Sequence, residues 1–320
     1  MVTDSLATWA HGAQALALLS AAQERGYLTY LARPRTVPEF AAFSGLPGGT
    51  AEDVLAALVA HGVAAESDGR FSLTDDLAAA LSGPSDLVAK IEEAELAARQ
   101  VAAVIRTGKA PLTAAEAVIV GHANALRPTA AGAAALVEKL FESVPEMWQA
   151  MDGGRLLDVG SGVSGFVLSA ATALPGLRAT TIELVPEVAA VAVARARELG
   201  VADRIDARVT DARDFDEPAA YEAAFWAQPF FPEPTRAGTL AMILRSLRPG
   251  GLLLVQQLDA APAGDQSAFT LRRLVAHAQG LAFARPIADV VAEAVTAGFE
   301  QIRTVVTDFG PIALLRRPLP

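Results

Sequence analysis

A glycine-rich turn follows an apolar segment near the middle of the chain. Residues 156–159 lead into Gly160, Gly162 and Gly165, a spacing that satisfies the pattern GxGxxG. Glycine lets the backbone approach a ligand closely, and a helix that begins at such a turn presents amide groups to it. The pattern is typical of dinucleotide-binding sites but is weak by itself, so a nicotinamide enzyme is one alternative.

Acidic residues near the glycine turn favour a different nucleoside ligand. Asp158 precedes the first glycine, Glu183 ends the next predicted strand, and Asp211 ends the strand after that. A carboxylate at Asp158 would repel a pyrophosphate and suits a cationic or amino-bearing ligand. Glu183 can accept hydrogen bonds from both hydroxyls of a ribose, and Asp211 can accept one from an adenine amine. We therefore expect an extended nucleoside across the carboxyl ends of adjacent strands.

Alternating strands and helices must position these acids. The strand candidates are 155–159, 178–184, 205–210, 223–227 and 252–258, and the helices between them are 165–173, 187–199 and 235–247. A hairpin, 301–309 with 312–316, ends the chain and requires one antiparallel strand. The alternation predicts a doubly wound α/β fold, a Rossmann-like and mostly parallel seven-stranded sheet.

The first 107 residues are predicted to be mostly helical with a winged-helix outline. A helix over 38–43 is followed by a second from a capping box at Thr50 to His61, and a hairpin turns at Asp68-Gly69. The second helix carries Glu52 and no Lys or Arg, which is wrong for a helix that faces phosphates. A dimerisation or lid domain is therefore favoured over a DNA-binding one.

Composition excludes several kinds of protein. The 320 residues include 26 Lys and Arg against 36 Asp and Glu, and a net charge of -10 argues against a nucleic-acid partner. No cysteine is present, so disulfides and thiolate nucleophiles are excluded. The histidines are far apart and form no HExxH pair, so no metal is expected, and a site assembled from distant residues such as His122 and His277 with a carboxylate is the open alternative. Neither a membrane span nor a signal peptide is apparent, and the expected location is the cytoplasm.

One nearly all-apolar helix is predicted over residues 6–22. A helix that is apolar nearly all round is normally buried, and a region this small offers it few partners. We therefore expect the chain to form a homodimer through this helix.

These motifs together resemble the class I S-adenosylmethionine-dependent methyltransferases. The likeness rests on residues 158–162, on Glu183, on Asp211-Ala212, and on the Pro249-Gly250-Gly251 turn before an apolar strand. The N-terminal outline is similar to the dimerisation domain of small-molecule O-methyltransferases. The resemblance implies a dimerisation domain over 1–107, a helical linker or substrate lid over 108–150, and a cofactor-binding domain over 151–320.

The resemblance also implies the cofactor S-adenosyl-L-methionine and a role for each motif residue. Gly160, Ser161 and Gly162 would pass under its methionine and ribose, and Glu183 would hold the ribose hydroxyls. Asp158 would lie near the methionine amino end. The adenine would be lined by Asp211 and Ala212.

This sequence departs from the pattern of the resembled family at the position of the catalytic base. These enzymes usually carry a histidine just after the fourth strand, but residues 225–234 contain none. Gln228 cannot replace it, because a carboxamide is not a base near neutral pH. His277 and His122 are the candidates for a base or a substrate contact, whereas His11 and His61 are expected to be structural.

An acceptor wall is expected from the residues after that strand, namely Trp226, Gln228, Phe230 and Phe231. We expect methyl transfer to a small, largely apolar acceptor in bacterial natural-product biosynthesis. Proximity and orientation would supply most of the catalysis. The alternative is a methyltransferase-like protein that binds the cofactor and catalyses a reaction other than methylation.

Overall fold

A computed structural model describes residues 2–320, with side chains from Ser5 onward. The chain forms two compact units, Met1–Leu96 and Ala97–Pro320. The division falls inside one long helix, Leu87–Thr107. The predicted domain limits at 107 and 150 stay predictions.

The first unit is helical with one small hairpin. Its helices are α1 (Val2–Glu24), α2 (Tyr27–Tyr30), α3 (Val37–Ser44), α4 (Gly48–Ala60), α5 (Asp75–Ser82) and the start of α6 (Leu87–Thr107). Strands β1 (Ala64–Ser67) and β2 (Arg70–Leu73) pair antiparallel. Asp68 and Gly69 join them with φ of 51° and 70°, as a two-residue hairpin turn requires. The order of α3, α4 and the hairpin is the one the sequence predicted, whereas α2 was not predicted. The winged-helix assignment itself stays a prediction.

The predicted capping box at Thr50 is wrong. Helix α4 begins at Gly48, directly after Pro47, whose φ of -54° already suits a helix start. Thr50 therefore lies inside the helix. A capping box is found instead at α3, where the Thr36 hydroxyl accepts from the Glu39 amide and the Glu39 carboxylate accepts from the Thr36 amide.

The second unit is built on a seven-stranded sheet. Its strands are β3 (Arg155–Val159), β4 (Arg178–Glu183), β5 (Ile205–Val209), β6 (Tyr221–Trp226), β7 (Leu247–Gln256), β8 (Glu300–Thr307) and β9 (Gly310–Arg316). Their order is β5-β4-β3-β6-β7-β9-β8. Neighbours from β5 to β7 are parallel, and β9 is antiparallel to both of its neighbours. The predicted mostly parallel, doubly wound sheet is confirmed.

Helices cover both faces of this sheet. They are α7 (Ala114–Ala123), α8 (Ala133–Glu142), α9 (Pro145–Met151), α10 (Gly165–Ala173), α11 (Pro186–Glu198), α12 (Glu233–Ser246), α13 (Ser267–Ala278) and α14 (Ile287–Thr296). Two buried apolar clusters form the cores on the two faces, because side chains alternate along each strand. In the described part of the chain, no helix is long and apolar enough to cross a membrane.

The strand order reverses at β3, and this reversal determines where a ligand fits. Strand β4 lies on one side of β3 and β6 lies on the other, with Val159 in register with both Ile182 and Trp226. Connections leave the carboxyl ends of β3 and β6 in opposite directions, which opens a crevice there. The glycine turn, residues 160–164, follows β3 directly into this crevice.

Candidate active site

The glycine turn is fastened to the end of the neighbouring strand. The amides of Gly160 and Ser161 both donate to the Ile182 carbonyl at 3.0 Å, and the Gly162 amide donates to Glu183 Oε2 at 3.0 Å. Gly160 and Gly162 have φ of 73° and 55°, the left-handed conformation that favours glycine. These amides already have acceptors, whereas a pyrophosphate site needs amides that point at the ligand.

The third glycine of the pattern serves packing. A Cβ atom on Gly165 would lie 2.4 Å from the Leu126 carbonyl oxygen and 2.7 Å from its nitrogen. The backbone that follows α7 therefore packs directly against the start of α10. The third glycine of a dinucleotide-binding turn also serves close packing, so Gly165 does not distinguish the nicotinamide alternative.

Asp158 is a buried carboxylate at the end of β3. Only 2% of its surface is exposed, and burial raises its pKa to about 7, with a smaller contribution from the Glu183 carboxylate. No hydrogen bond to this side chain is found among the described residues. A ligand cation beside Asp158 would offset the cost of burying its charge.

Glu183 ends β4 and accepts hydrogen bonds from backbone amides beside the crevice. Its Oε1 accepts from the Val185 amide at 2.9 Å, and its backbone carbonyl accepts from the Thr210 amide at 3.1 Å. The next residue, Leu184, is 64% exposed and offers an apolar surface beside this carboxylate. The sequence interpretation missed Leu184, although a large apolar residue directly after a strand-end acid is a usable signal.

The third predicted acid is paired within the chain. The Arg213 guanidinium donates to both carboxylate oxygens of Asp211, at 3.0 and 2.7 Å, and these hydrogen bonds lower the pKa of Asp211. Asp211 also caps a short 3-10 helix through the Arg213 amide, and Ala212 beside it is buried. The roles of these residues toward an adenine stay predictions.

Residues of the turn also fit a polar ligand. The hydroxyl oxygens of Ser161 and Ser164 are buried and make no hydrogen bond in the described structure. Buried polar atoms usually have a partner, so such groups beside a crevice are candidates for a ligand. Together with Asp158 and Glu183, they suit a molecule that carries a cation close to hydroxyl groups.

A second turn, residues 227–231 after β6, closes the crevice on its other side. Gln228 is buried, and its carboxamide accepts from Arg236 Nη2 at 2.9 Å and donates to the Gln256 carbonyl at 3.0 Å. The Phe231 ring packs against the glycine turn, since a Cβ on Gly160 would lie 2.5 Å from this ring. The turn therefore touches the loop that follows β3.

Comparisons with known proteins agree with this geometry. Residues 156–251 match the family model described as the methyltransferase domain. The ubiquinone biosynthesis O-methyltransferase of Xanthomonas campestris pv. campestris is 34% identical over 116 residues, which cover 36% of this chain and 47% of the relative. The Xylella fastidiosa enzyme of the same name is 33% identical over 111 residues, 34% of this chain and 44% of the relative. The matches span about half the length of these curated relatives.

Residues 156–251 therefore form a methyltransferase domain. Solved structures agree in fold over nearly the whole chain. Mitomycin 7-O-methyltransferase has a TM-score of 0.73 at 20% identity, covering 99% of this chain and 98% of that one. Human N-acetylserotonin methyltransferase in complex with S-adenosylmethionine has a TM-score of 0.71 at 18% identity, covering 100% and 98%.

His277, near the end of α13, lines a cavity of about 550 Å³. The other lining side chains come from the start of α12, from the segment 280–286, and from the start of α14; they include Glu233, Leu281, Phe283, Arg285 and Asp289. Apolar and ionisable groups thus share one wall. The roles of His277 as a base or a substrate contact stay predictions.

His122 lies apart from that cavity, at the end of α7. Arg195 Nη2 lies 2.7 Å from its Nδ1, and Arg195 Nη1 donates to the Val163 carbonyl at 3.3 Å. A guanidinium can only donate, so Nδ1 accepts and a neutral His122 carries its proton on Nε2. In this tautomer the Nδ1 lone pair accepts from Arg195, and the roles of His122 as a base or a substrate contact stay predictions.

The aromatic candidates for the acceptor wall differ in exposure. Trp226 is completely buried beneath Arg236, whose guanidinium carbon lies 4.8 Å from its ring centre, and its Nε1 has no partner. Phe230 is 43% exposed. Complete burial favours core packing over an acceptor contact for Trp226, and the assignment of these residues to the acceptor stays a prediction.

Arg236 is a further residue of this site that the sequence interpretation missed. It is 1% exposed, donates to the Gln228 backbone and side chain, and pairs with Glu293 at 2.7 Å. In the sequence it stands on a helix with ordinary spacing, so no local signal distinguishes it from a surface arginine. Among the described residues, no group of three or more potential metal ligands is present.

Proposed function

We propose that this chain transfers the methyl group of S-adenosylmethionine to a small, largely apolar acceptor. The observation that carries the proposal is the meeting of Asp158, Glu183 and Asp211 at the carboxyl ends of the neighbouring strands β3, β4 and β5. A nucleoside that bears cationic groups suits these acids, and a pyrophosphate does not.

The proposed cofactor would be held by residues of the crevice. Asp158 would face its cationic methionine end, Glu183 its ribose hydroxyls, and Leu184 with Ala212 the apolar faces of its adenine. The turn 160–162 would pass beneath it, where the positive φ of Gly160 and Gly162 leaves room for a close approach. The bound cofactor supplies an electrophilic methyl group on a sulfonium sulfur.

The acceptor would enter the cavity lined by His277, Leu281 and Phe283. Its wall includes Glu233, which lies two residues after Phe231, the ring that contacts the glycine turn. Holding two reactants in line can supply about 7–11 kcal/mol of the barrier, so orientation alone can drive the transfer. Because the turn after β6 contains no imidazole, we propose catalysis without a general base in this turn.

Two histidine variants test that mechanism. If orientation suffices, His277→Ala and His122→Ala should each keep the single-turnover rate within about tenfold of the parent rate, since loss of a general base costs about 10²–10⁴-fold. A hundredfold fall in either variant, with cofactor affinity unchanged, would return the enzyme to base-assisted O-methylation.

A place in natural-product biosynthesis is part of the proposal. It is supported by the fold shared with mitomycin 7-O-methyltransferase, while the curated relatives are named for ubiquinone biosynthesis. The expected cytoplasmic location and the homodimer belong to the same proposal. The turnover assay described below would identify the acceptor and the methylated atom.

Calorimetry with a matched pair of variants tests the cofactor site. Hydrogen bonds to a charged group contribute about 1.5–3 kcal/mol each, so Glu183→Ala should weaken S-adenosylmethionine binding at least about tenfold. Glu187→Ala is the control, because Glu187 is an exposed acid four residues away at the start of α11. Equal affinities in the two variants would remove Glu183 from the site.

Turnover separates the proposal from its alternative. Cell extract would be supplied as the source of acceptors, and formation of S-adenosylhomocysteine would be followed by mass spectrometry. Cofactor-dependent product that disappears in Glu183→Ala supports methyl transfer. Tight cofactor binding without any turnover would favour a reaction other than methylation.

A further inference from the structure

Two histidines that are far apart in sequence meet in the first unit. His11 lies on α1 and His61 directly follows α4, and their Nε2 atoms are 3.2 Å apart. The ring centres are 5.3 Å apart, and the ring planes are tilted by 49°. Both side chains are exposed, so solvent reaches the space between the two nitrogen atoms.

The backbone determines which nitrogen of His61 is available. His61 Nδ1 lies 2.8 Å from the Ala57 carbonyl oxygen. A carbonyl only accepts, so Nδ1 carries the proton and the lone pair of a neutral His61 is on Nε2. Metal-binding histidines are held in the same way, with the second ring nitrogen donating to a carbonyl or carboxylate.

The separation of the two nitrogens matches the distance between two nitrogen ligands of one metal ion. Zinc binds imidazole nitrogen at about 2.0–2.1 Å in tetrahedral geometry, which places two such nitrogens about 3.3 Å apart. The observed separation of 3.2 Å lies close to this distance. In the present contact one proton lies between the nitrogens; on metal binding, His11 would carry its proton on Nδ1 instead, so no proton is lost.

We propose that His11 and His61 form a chelate for a divalent late transition metal such as Zn²⁺ or Ni²⁺. Neutral imidazole suits these ions, and water would complete the coordination. The contact joins α1 to the end of α4 at a point where residues 6–14 of α1 are otherwise exposed. The metal would therefore act as a clip that holds the N-terminal half of α1 against its own unit.

Calorimetric titration of the untagged, metal-free full chain tests the chelate. Zn²⁺ and Ni²⁺ should bind with one ion per chain in the micromolar range, and Mg²⁺, which prefers oxygen ligands, should not compete. His11→Gln and His61→Gln should each weaken Zn²⁺ binding at least about tenfold, since loss of an outer-shell partner alone costs 10–100-fold. His277→Ala, which removes an exposed histidine of the other unit, is the control.

Glutamine keeps a polar side chain that can form hydrogen bonds at either position, and both positions are exposed, so these variants should fold. Unchanged Zn²⁺ affinity in both glutamine variants would overturn the proposal. So would an equal loss of affinity in His277→Ala, or a stoichiometry of one ion per two chains.

Hydrogen exchange provides a readout of the clip itself. Zn²⁺ should slow amide exchange in the N-terminal half of α1 in the parent chain and leave it unchanged in His61→Gln. Zn²⁺ binding without any added protection of α1 would show that the metal does not restrain this helix and would overturn the clip.

Discussion

At the scale of single residues, Asp158 is a carboxylate whose charged form is disfavoured by burial. Its pKa is about 7 in the fold and 3.8 for an unperturbed aspartate. The folded state therefore binds more protons than the unfolded state between these values, and the free energy of unfolding falls as pH rises through this window. A buried charge without a partner is the cause.

Asp158→Asn should therefore raise the melting temperature at pH 8 and raise it less at pH 5, which lies nearer the lower end of this window. Asp211→Asn is the control and should lower the melting temperature, because the Arg213 hydrogen bonds lower the pKa of Asp211 and stabilise its charged form. Thermal unfolding of both variants at the two pH values provides the measurement. A gain for Asp158→Asn at pH 5 as large as at pH 8 would contradict the burial argument.

The same residue links cofactor affinity to pH. A cation bound beside Asp158 favours its ionised form, so binding below pH 7 must release a proton. The affinity for S-adenosylmethionine should rise from pH 6 to pH 8 in the parent chain, by up to about tenfold per pH unit below the pKa. Calorimetry at three pH values measures this dependence. In Asp158→Asn the rise should be lost, and a rise that persists in this variant would contradict the role of Asp158.

Gly160 and Gly162 form a second matched pair at this scale. Both have positive φ, so alanine costs about 1–2 kcal/mol at either position. Only at Gly160 would the new Cβ meet a ring, 2.5 Å from Phe231 Cε2, whereas nothing lies within 4 Å at Gly162. Gly160→Ala should therefore unfold at a lower denaturant concentration than Gly162→Ala. Adding Phe231→Ala should recover part of the difference, and equal midpoints would exclude the contact.

At the scale of elements, Arg236 ties the turn after β6 to two helices. It lies on α12 and pairs with Glu293 on α14 at 2.7 Å while donating to the Gln228 backbone at 2.7 Å. Arg285 also pairs with Glu293, at 2.9 Å, but is partly exposed. The buried arginine thus fixes a turn whose Phe231 touches the glycine loop.

Removing this arginine should destabilise the second unit. Breaking a buried ion pair typically costs about 3–5 kcal/mol because the partner stays behind without compensation, so Arg236→Met should lower the free energy of unfolding by about 3 kcal/mol. Arg285→Met should lower the free energy of unfolding clearly less, since Glu293 then still pairs with Arg236. Urea denaturation distinguishes the two, and a larger effect at Arg285 would reverse the assignment.

At the scale of the whole molecule, helix α1 leaves large apolar side chains in solvent. Leu6 is 61% and Trp9 is 68% exposed in the single chain. Exposed apolar side chains that lie together on one element commonly mark a protein interface. This is the surface through which the proposed homodimer would form.

Light scattering tests that assembly. The parent should have twice the 33.2 kDa mass of one chain, and Trp9→Glu should shift it to the monomer, because an interface charge would be buried without a partner. Gln14→Glu adds the same charge at another exposed position of α1 and should change the mass less. A monomeric parent at micromolar concentration would refute the dimer.

Local sequence patterns determined the parts of the fold that depend on few neighbours. The glycines at 160 and 162 have the positive φ that the loop requires, and Asp68-Gly69 has the turn that its type predicts. The strand alternation gave the sheet, with strand limits within a few residues of those observed except at β7, which begins at Leu247 instead of 252. Chain connectivity and hydrophobic periodicity encode these features directly.

The tertiary structure alone decided which distant side chains meet. Arg195 reaches His122, Arg236 reaches Glu293, and His11 reaches His61, with separations of 73, 57 and 50 residues. No spacing rule connects such positions, because their contacts depend on how helices pack across a sheet or against one another. For the same reason, the sequence could supply the acids and glycines of a cofactor site, and only packing could reveal the buried Asp158, the paired Asp211 and the joined histidines.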